Sequence, residues 1–397
     1  MKEILMKEYN NLRKLNLKSK SGDYIFKLNF IQGCTLEIVG DKSSRFKVQL
    51  INSKDNSVVF EDEISNNMWV KSNITYYINY LVLVTDLNTG EIIFEHKYNA
   101  DNKRIYIHLD SKAIGDTLAW FPYVEEFRKE HNCKVICSTF HNEWFESSYP
   151  QIEFAKPGSS IPDLYAMYNI GWHYNEDDTI NLNNNPHDFR KYSLQECSAD
   201  ILGIDFNEIK PNLSFKNTGP NIEGKYVCIA PHGSAHAKYW NNSGGWQRVI
   251  DYLNVEGYKV VMITQEKLGD EWHDSKLGGT LKGVVDKTGD FPLSDRANDI
   301  MNAEFFIGIG SGLSWLSWAL DTKTILISGF SAPFSEFKDC ERISPPKSSC
   351  NSCYNKVRLD AGDWEWCPEY KDTNLQYECT KTIQPSTVIE AINRIIT

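Results

Sequence analysis

The chain has 397 residues, room for two or three domains with sizeable cores. Its 53 acidic and 42 basic residues give a net charge of −11, which argues against a nucleic-acid partner because phosphate binding needs a basic stripe. No stretch of 18 apolar residues exists, so no membrane span is expected.

The opening MKEILMKEYNNLRKLN is charged at helical spacing and lacks the apolar centre of a signal peptide, which predicts a cytoplasmic protein. From about residue 20 to 100 the runs Tyr24–Phe30, Thr35–Val39, Phe46–Ile51 and Ser57–Phe60 alternate or are β-branched. Polar turns separate them, a pattern that reads as an antiparallel sandwich or small barrel. Residues 1–102 are therefore expected to form an all-β domain for assembly or acceptor docking.

Strand–helix alternation begins near Lys103. Arg104–Leu109 reads as a strand that ends in Asp110, followed by a polar turn with Gly115 and Asp116. Leu118, Ala119, Phe121, Val124 and Phe127 then repeat at helical spacing. In open α/β sheets ligands bind at the carboxyl ends of the strands, so carboxylates here suit a general base or a sugar-hydroxyl contact. The plainer alternative is that Asp116 caps the helix. Cys133–Ser138 is a second strand. The stretch from Pro150 to Pro220 is polar and Asn-rich, with a helical piece near Leu194–Leu202, and completes a first α/β domain over residues 103–220.

A second α/β domain is expected over residues 221–397. It opens with the strand Lys225–Ala230 and continues with helix Gly245–Glu256, strand Lys259–Thr264, helix Asp295–Ala303, strand Phe305–Ile309, a helix after Gly312 and strand Lys323–Ser328. Two successive sets of this kind predict two doubly wound sheets.

Two loops in the second half suit an anion. Gly308–Leu316, GIGSGLSWL, joins a strand to a helix; glycines let backbone N–H groups approach a phosphate, and the helix start favours negative charge. Ser311 and Ser314 would add hydroxyls. An ordinary Gly-rich turn has the same letters. Ala230–Asn241 offers His232, Ser234, His236 and Lys238 after another strand, with Lys238 a point charge for a diphosphate. Trp240 either shapes a base pocket or packs in the core.

Ten cysteines in a chain expected to stay in a reducing compartment argue against a disulfide framework. Four of them, Cys350, Cys353, Cys367 and Cys379, crowd into one polar segment. A tetrahedral sulfur site there would hold zinc or iron, closed and structural. It would staple a finger over residues 340–380, with Cys340 as an alternative ligand and free thiols as the plain reading.

The stretch IHLDSKAIGDTLAWFPYVEEF, the Lys238-Tyr239-Trp240 element and the GSGL loop resemble the heptosyltransferases of lipopolysaccharide core synthesis. With the leading β region and the cysteine finger, nearly the whole chain resembles the bacterial autotransporter heptosyltransferases. That resemblance implies a GT-B α/β fold of two Rossmann-like domains, with an N-terminal β domain and a metal finger. It implies transfer of heptose from ADP-heptose to serines of an adhesin passenger domain, iron held by the four finger cysteines, and a dodecameric ring. On the matching positions, Asp110 is implied as general base with Asp116 competing for the role. Lys238 is implied to neutralise the ADP phosphates, Gly310, Ser311, Gly312 and Leu313 to offer backbone N–H groups to them, and Met262 and Thr264 to line the adenine pocket. The chain departs from the core enzymes at Gly310-Ser311 and at Trp315, where those carry Asp-Thr and His.

Overall fold

The computed structural model describes residues 17–397; the charged amino-terminal stretch lies outside them. The chain divides into two units. The first holds the described residues up to Lys112 with Trp120–Phe189 and Gln195–Asn207; the second holds Ala113–Ala119, Arg190–Leu194 and Glu208–Thr397.

The first unit opens with eight strands: β1 (Leu17–Ser21), β2 (Tyr24–Ile31), β3 (Thr35–Gly40), β4 (Arg45–Asn52), β5 (Ser57–Ser65), β6 (Met68–Lys71), β7 (Tyr80–Asp86) and β8 (Ile92–Lys97). They are followed by β9 (Arg104–Leu109), helix α1 (Ile114–His131), β10 (Lys134–Ser138), β11 (Glu153–Phe154), β12 (Ala166–Ile170) and α2 (Leu194–Leu202). The early strands alternate as their sequence demands: Phe26, Leu28 and Phe30 of β2 are buried. They divide between two sheets. β5-β4-β7-β8 is a four-stranded antiparallel sheet, and it packs on β2 through Phe26 stacked with Phe94 (4.7 Å) and Tyr24 edge-on to Phe46 (4.9 Å). The other early strands extend the α/β sheet, in the order β11-β10-β9-β12-β2-β3-β6, with β2 parallel to β12. The β region and the first α/β layer thus share one sheet, joined through a parallel pairing that no local pattern announces.

The second unit contains β13 (Tyr226–Ala230), α3 (Gly245–Val255), β14 (Lys259–Met262), α4 (Glu271–Lys276), β15 (Val284–Asp286), α5 (Leu293–Met301), β16 (Phe306–Ile309), α6 (Gly312–Ala319), β17 (Thr324–Ile327), β18 (Glu341–Ile343), α7 (Glu378–Lys381) and α8 (Pro385–Ile396). Its six strands are all parallel, in the order β15-β14-β13-β16-β17-β18. Fully buried strands such as Tyr226–Ala230 are what a sheet covered on both faces requires. The order is that of a dinucleotide-binding sheet, and its direction of winding reverses between β13 and β16. The first sheet reverses between β9 and β12 in the same way. Loops diverge at such switch points and leave a crevice there.

Among the described residues, no helix is long and apolar enough to cross a membrane.

Candidate active site

Asp110 follows β9 at the switch point of the first sheet. Its backbone N–H donates to the Ile170 carbonyl (2.8 Å), which ties it to the end of β12. A Cβ placed on Gly171 would stand 3.3 Å from the Asp110 Cβ and 3.4 Å from the His173 ring, so glycine is what lets the two strand ends approach. The Asp110 side chain is mostly buried, and burial raises its pKa above the usual carboxylate range. His108 Nε2 lies 4.0 Å from Asp110 Oδ1. Burial pushes that imidazole down to about 4, so it is neutral at pH 7 and lends the carboxylate no positive charge. Burial lowers His173 as well. The carboxylate is therefore held basic by its surroundings, the state a general base needs.

The second unit gathers a different chemistry at its own switch point. The loop after β16 enters α6 through Ser311, whose side chain makes no capping bond and whose Oγ is buried without a hydrogen-bond partner among the described residues. Gly312 is required by contact: an added Cβ would meet Ile114 Cβ at 2.6 Å. Gly115 stands equally close to Trp315, at 2.9 Å from ring carbon Cδ1. The start of α1, with Asp116 in its first turn, is thereby set against the start of α6. Gly310 leaves room for the buried carboxylate of Glu336, 3.1 Å from where its Cβ would be. Glu336 accepts from Arg342 (2.7 Å) and from Ser331, which bonds Ser328 (3.1 Å).

The loop after β13 supplies the cation. Lys238 closes a single turn, His236–Lys238, and its Nζ donates to Ser234 Oγ (3.0 Å) and lies 5.4 Å from the Phe330 ring centre. Burial lowers its pKa, while the charges of Asp116 and Glu336 pull it back up. Lys238, the backbone N–H groups at the start of α6 and the Ser311 hydroxyl, after the two strands that flank the reversal, are groups of the kind that receive an anion.

These two sites can be set beside known proteins. Residues 189–336 match the model of glycosyltransferase family 9 (heptosyltransferase). The autotransporter heptosyltransferase BAHTCr of Citrobacter rodentium is 35% identical over 363 residues, 88% of this chain and 85% of that protein. The chain belongs to the autotransporter heptosyltransferase family. The crystal structure of the iron-containing dodecameric glycosyltransferase TibC from enterotoxigenic Escherichia coli matches this heptosyltransferase with a TM-score of 0.84 at 31% identity, over 95% of this chain and 97% of that one. TibC has also been solved in complex with ADP-heptose. A relative from Burkholderia thailandensis, 28% identical over 95% of this chain and 86% of its own length, is named an inactive autotransporter heptosyltransferase. The fold is thus the GT-B-like α/β architecture of glycosyltransferases, and the particular side chains carry the question of activity.

Several residues expected near the ligand of this heptosyltransferase are buried. Trp240 is 1% exposed; its Nε1 donates to the Ile383 carbonyl (3.0 Å) and its ring packs on Trp246. Met262 lies wholly inside the same core cluster. Thr264 is buried, with its Oγ1 3.0 Å from His232 Nδ1 and donating to the Glu266 carbonyl. Ser314 is also spent internally, donating to the Ile309 carbonyl (2.6 Å). Trp315 packs edge-on to Trp318 and Phe337. Apolar letters near a motif cannot distinguish a pocket wall from the layer behind it. His173 and Glu336 escaped sequence reasoning because Asp110 and Gly310 are distant from them in the chain, and His108, two residues before Asp110, reads only as part of strand β9.

The cysteines separate into two classes. Cys34, Cys133, Cys137, Cys197 and Cys228 are buried, as small apolar residues are. Cys350, Cys353, Cys367 and Cys379 carry no disulfide, and the Cys379 thiol feels the other three after the main effect of burial. Burial raises the Cys353 thiol to about 11, with Cys350 and Cys367 among the charges near it. Cys340 responds instead to Arg342, Glu336, Asp339 and Glu208. Free thiols that influence one another are the donor type a soft metal takes. Among the described residues, no group of three or more Cys, His, Asp or Glu is drawn to metal-holding spacing. Cys353 and Cys367 pack with Trp366, Tyr377, Phe330 and Ala237, so the finger's small core backs the turn that carries Lys238.

Proposed function

We propose that this enzyme transfers heptose from ADP-heptose to serine hydroxyls of an autotransporter passenger domain, in a single inverting displacement with Asp110 as general base. The observation that carries the reading is Asp110 itself: a mostly buried carboxylate of raised pKa at the first switch point, beside an imidazole that stays neutral. A serine hydroxyl is a weak nucleophile at neutral pH and needs such a group to take its proton as the bond to the sugar forms. Asp116 is the second candidate, since it shares the electrostatic field of Lys238.

The leaving ADP gathers negative charge on its diphosphate. Lys238, Ser234 and the backbone N–H groups of Gly310, Ser311, Gly312 and Leu313 would receive it, which lowers the barrier by stabilising charge as it develops. Trp240, Met262 and Thr264 support that floor from behind. In this division of labour residues 1–102 serve assembly and docking, 103–220 the acceptor side and 221–397 the donor side. Iron bound by Cys350, Cys353, Cys367 and Cys379 would act as a structural staple for the 340–380 finger, with zinc as the alternative. The same reading makes the enzyme a cytoplasmic homo-oligomer, a dodecamer like TibC.

The test is co-expression with a serine-rich autotransporter passenger in cells that make ADP-heptose, followed by intact mass measurement. Steps of one heptosyl residue that depend on this chain are expected. An unmodified passenger alongside folded, donor-binding enzyme would overturn the acceptor assignment, and a lipopolysaccharide-core acceptor would come next. Cys350→Ser is expected to lose iron by elemental analysis; full occupancy in that variant would reject the ligand set.

A further inference from the structure

The first unit contains a hollow of about 200 Å³ that the proposed chemistry does not use, lined by Gln32, Lys71, Asn73, Thr75, Met167, Asn169 and Asn184. It sits where β12 meets β2, at the ends of two parallel strands paired through Ala166–Phe30 and Met167–Ile31. Asn169 pairs in register with His108, so Asn169, His108 and Asp110 lie on one face of adjoining strands, since side chains alternate faces with a period of two. Neighbouring strands are about 4.8 Å apart and an extended chain advances about 3.3 Å per residue. Asn169, in the wall of the hollow, is therefore roughly two or three residues of extended chain from Asp110, backbone to backbone.

Its walls are fixed. Ser72 N–H donates to the Cys34 carbonyl (2.9 Å), and a Cβ on Gly33 would stand 2.8 Å from the Ile74 carbonyl oxygen, so the turn after β2 is pressed onto residues 72–74. Thr75 N–H donates to the Asn183 carbonyl (2.8 Å), and Asn184 Nδ2 donates to Thr75 Oγ1 (2.7 Å). Within it, Asn169 Oδ1 is buried with no hydrogen-bond partner among the described residues. A buried amide oxygen in that state calls for a donor.

The lining is rich in carboxamides, with one hydroxyl, one ammonium group, one thioether, no carboxylate and no aromatic ring. One cation is too few for a diphosphate, and the absence of carboxylates disfavours a divalent metal. Sugar and base sites usually bring an aromatic platform, which is missing. A carboxamide presents one donor edge and one acceptor edge, the complement of a peptide group.

We propose that this hollow binds the backbone of the acceptor polypeptide beside the modified serine, with Asn73 and Asn169 reading its amide groups. The inference rests on the acceptor-side reading of Asp110 given above. Reading backbone rather than side chains makes the site tolerant of sequence, so that many serines of one passenger can be presented in turn.

The probe is a synthetic peptide with one serine flanked by glycine, asparagine and threonine, at saturating ADP-heptose. Asn73→Ala alone, and combined with Asn169→Ala, is expected to raise the KM for the peptide by about tenfold or more. The Kd for ADP-heptose and the slow hydrolysis of donor by water should stay at the wild-type level, which also reports an intact fold. Wild-type transfer with an unchanged peptide KM in both variants would overturn the site while leaving Asp110 as the base. Absence of transfer by the wild-type enzyme would overturn the acceptor-side reading, and this site with it.

Discussion

The two switch points of this enzyme share a geometry and differ in chemistry. Each is a place where a parallel sheet reverses its winding and two loops part. At the first, a carboxylate stands among imidazoles that burial keeps neutral. At the second, an ammonium group and a helix start face the same loop, with an unpartnered serine hydroxyl. One environment makes a carboxylate hold its proton more tightly and so accept one more readily. The other prepares for a charge that arrives with the ligand. In both, the fold supplies the crevice and the strand ends supply the chemical groups.

The strongest way to break the comparison is to neutralise the first site. Asp110→Asn keeps the shape and removes the basic oxygen. Transfer should fall by roughly 10²–10⁴-fold, the usual contribution of a positioned base, with the Kd for ADP-heptose unchanged. A rate within tenfold of wild type would move the role to Asp116, which belongs with the Lys238 site and would erase the division between the two. The converse experiment removes the cation. Lys238→Ala should weaken ADP-heptose binding by about 1.5–3 kcal/mol, the range for a hydrogen bond to a charged group, measured by calorimetry. Unchanged donor affinity would reject the anion site.

A smaller effect sharpens the first site. The Asp110 pKa is raised by burial, so its basic form is lost at a higher pH than for an exposed carboxylate. The acid limb of kcat/KM should lie above the ordinary carboxylate range, and activity should fall as pH falls through it. His108, at about 4, titrates too low to contribute near neutrality. Asp110→Glu would carry a limb of its own, displaced from the wild type if this residue is the titrating group. An identical limb in the two enzymes would show that another group sets the profile.

What could be read in advance followed the range of each signal. Strand β9 and α1 were legible because a β-rich run, a polar turn and an apolar helical stripe are consecutive in the chain. Four strands of the second sheet were legible for the same reason, alternating with helices from Tyr226 onward, whereas the three-residue strands β15 and β18 are too short to show a pattern. β12 was hidden: its five residues, Ala-Met-Tyr-Asn-Ile, lie in an Asn-rich stretch read as the rest of a domain and a linker, yet this strand borders Asp110. The parallel pairing of β2 with β12 was hidden too, because its partners are more than a hundred residues apart. Asp110, Lys238 and the glycine loop were visible as motifs at strand ends. The burial that raises the Asp110 pKa, and the carboxylate of Glu336 beside Gly310, needed three dimensions.

The smallest functional effect is predicted at a side chain that the sequence allows either to shape a base pocket or to pack in the core. Trp240 lies two residues after Lys238, the position of a pocket wall by proximity alone. Its ring instead fills the core between α3 and the Ile383 carbonyl, so closely that a Cβ on Gly245 would stand 2.8 Å from ring carbon Cζ2. Trp240→Phe removes the indole N–H and leaves the Ile383 oxygen buried without its donor, at a cost of about 1–3 kcal/mol in stability. Thermal unfolding should therefore come at a lower temperature, while the Kd for ADP-heptose measured well below that transition stays at the wild-type value. A tenfold weaker Kd in a variant that is still folded would return Trp240 to the ligand's surroundings. The anion site of the second unit would then extend through the core layer instead of ending at Lys238.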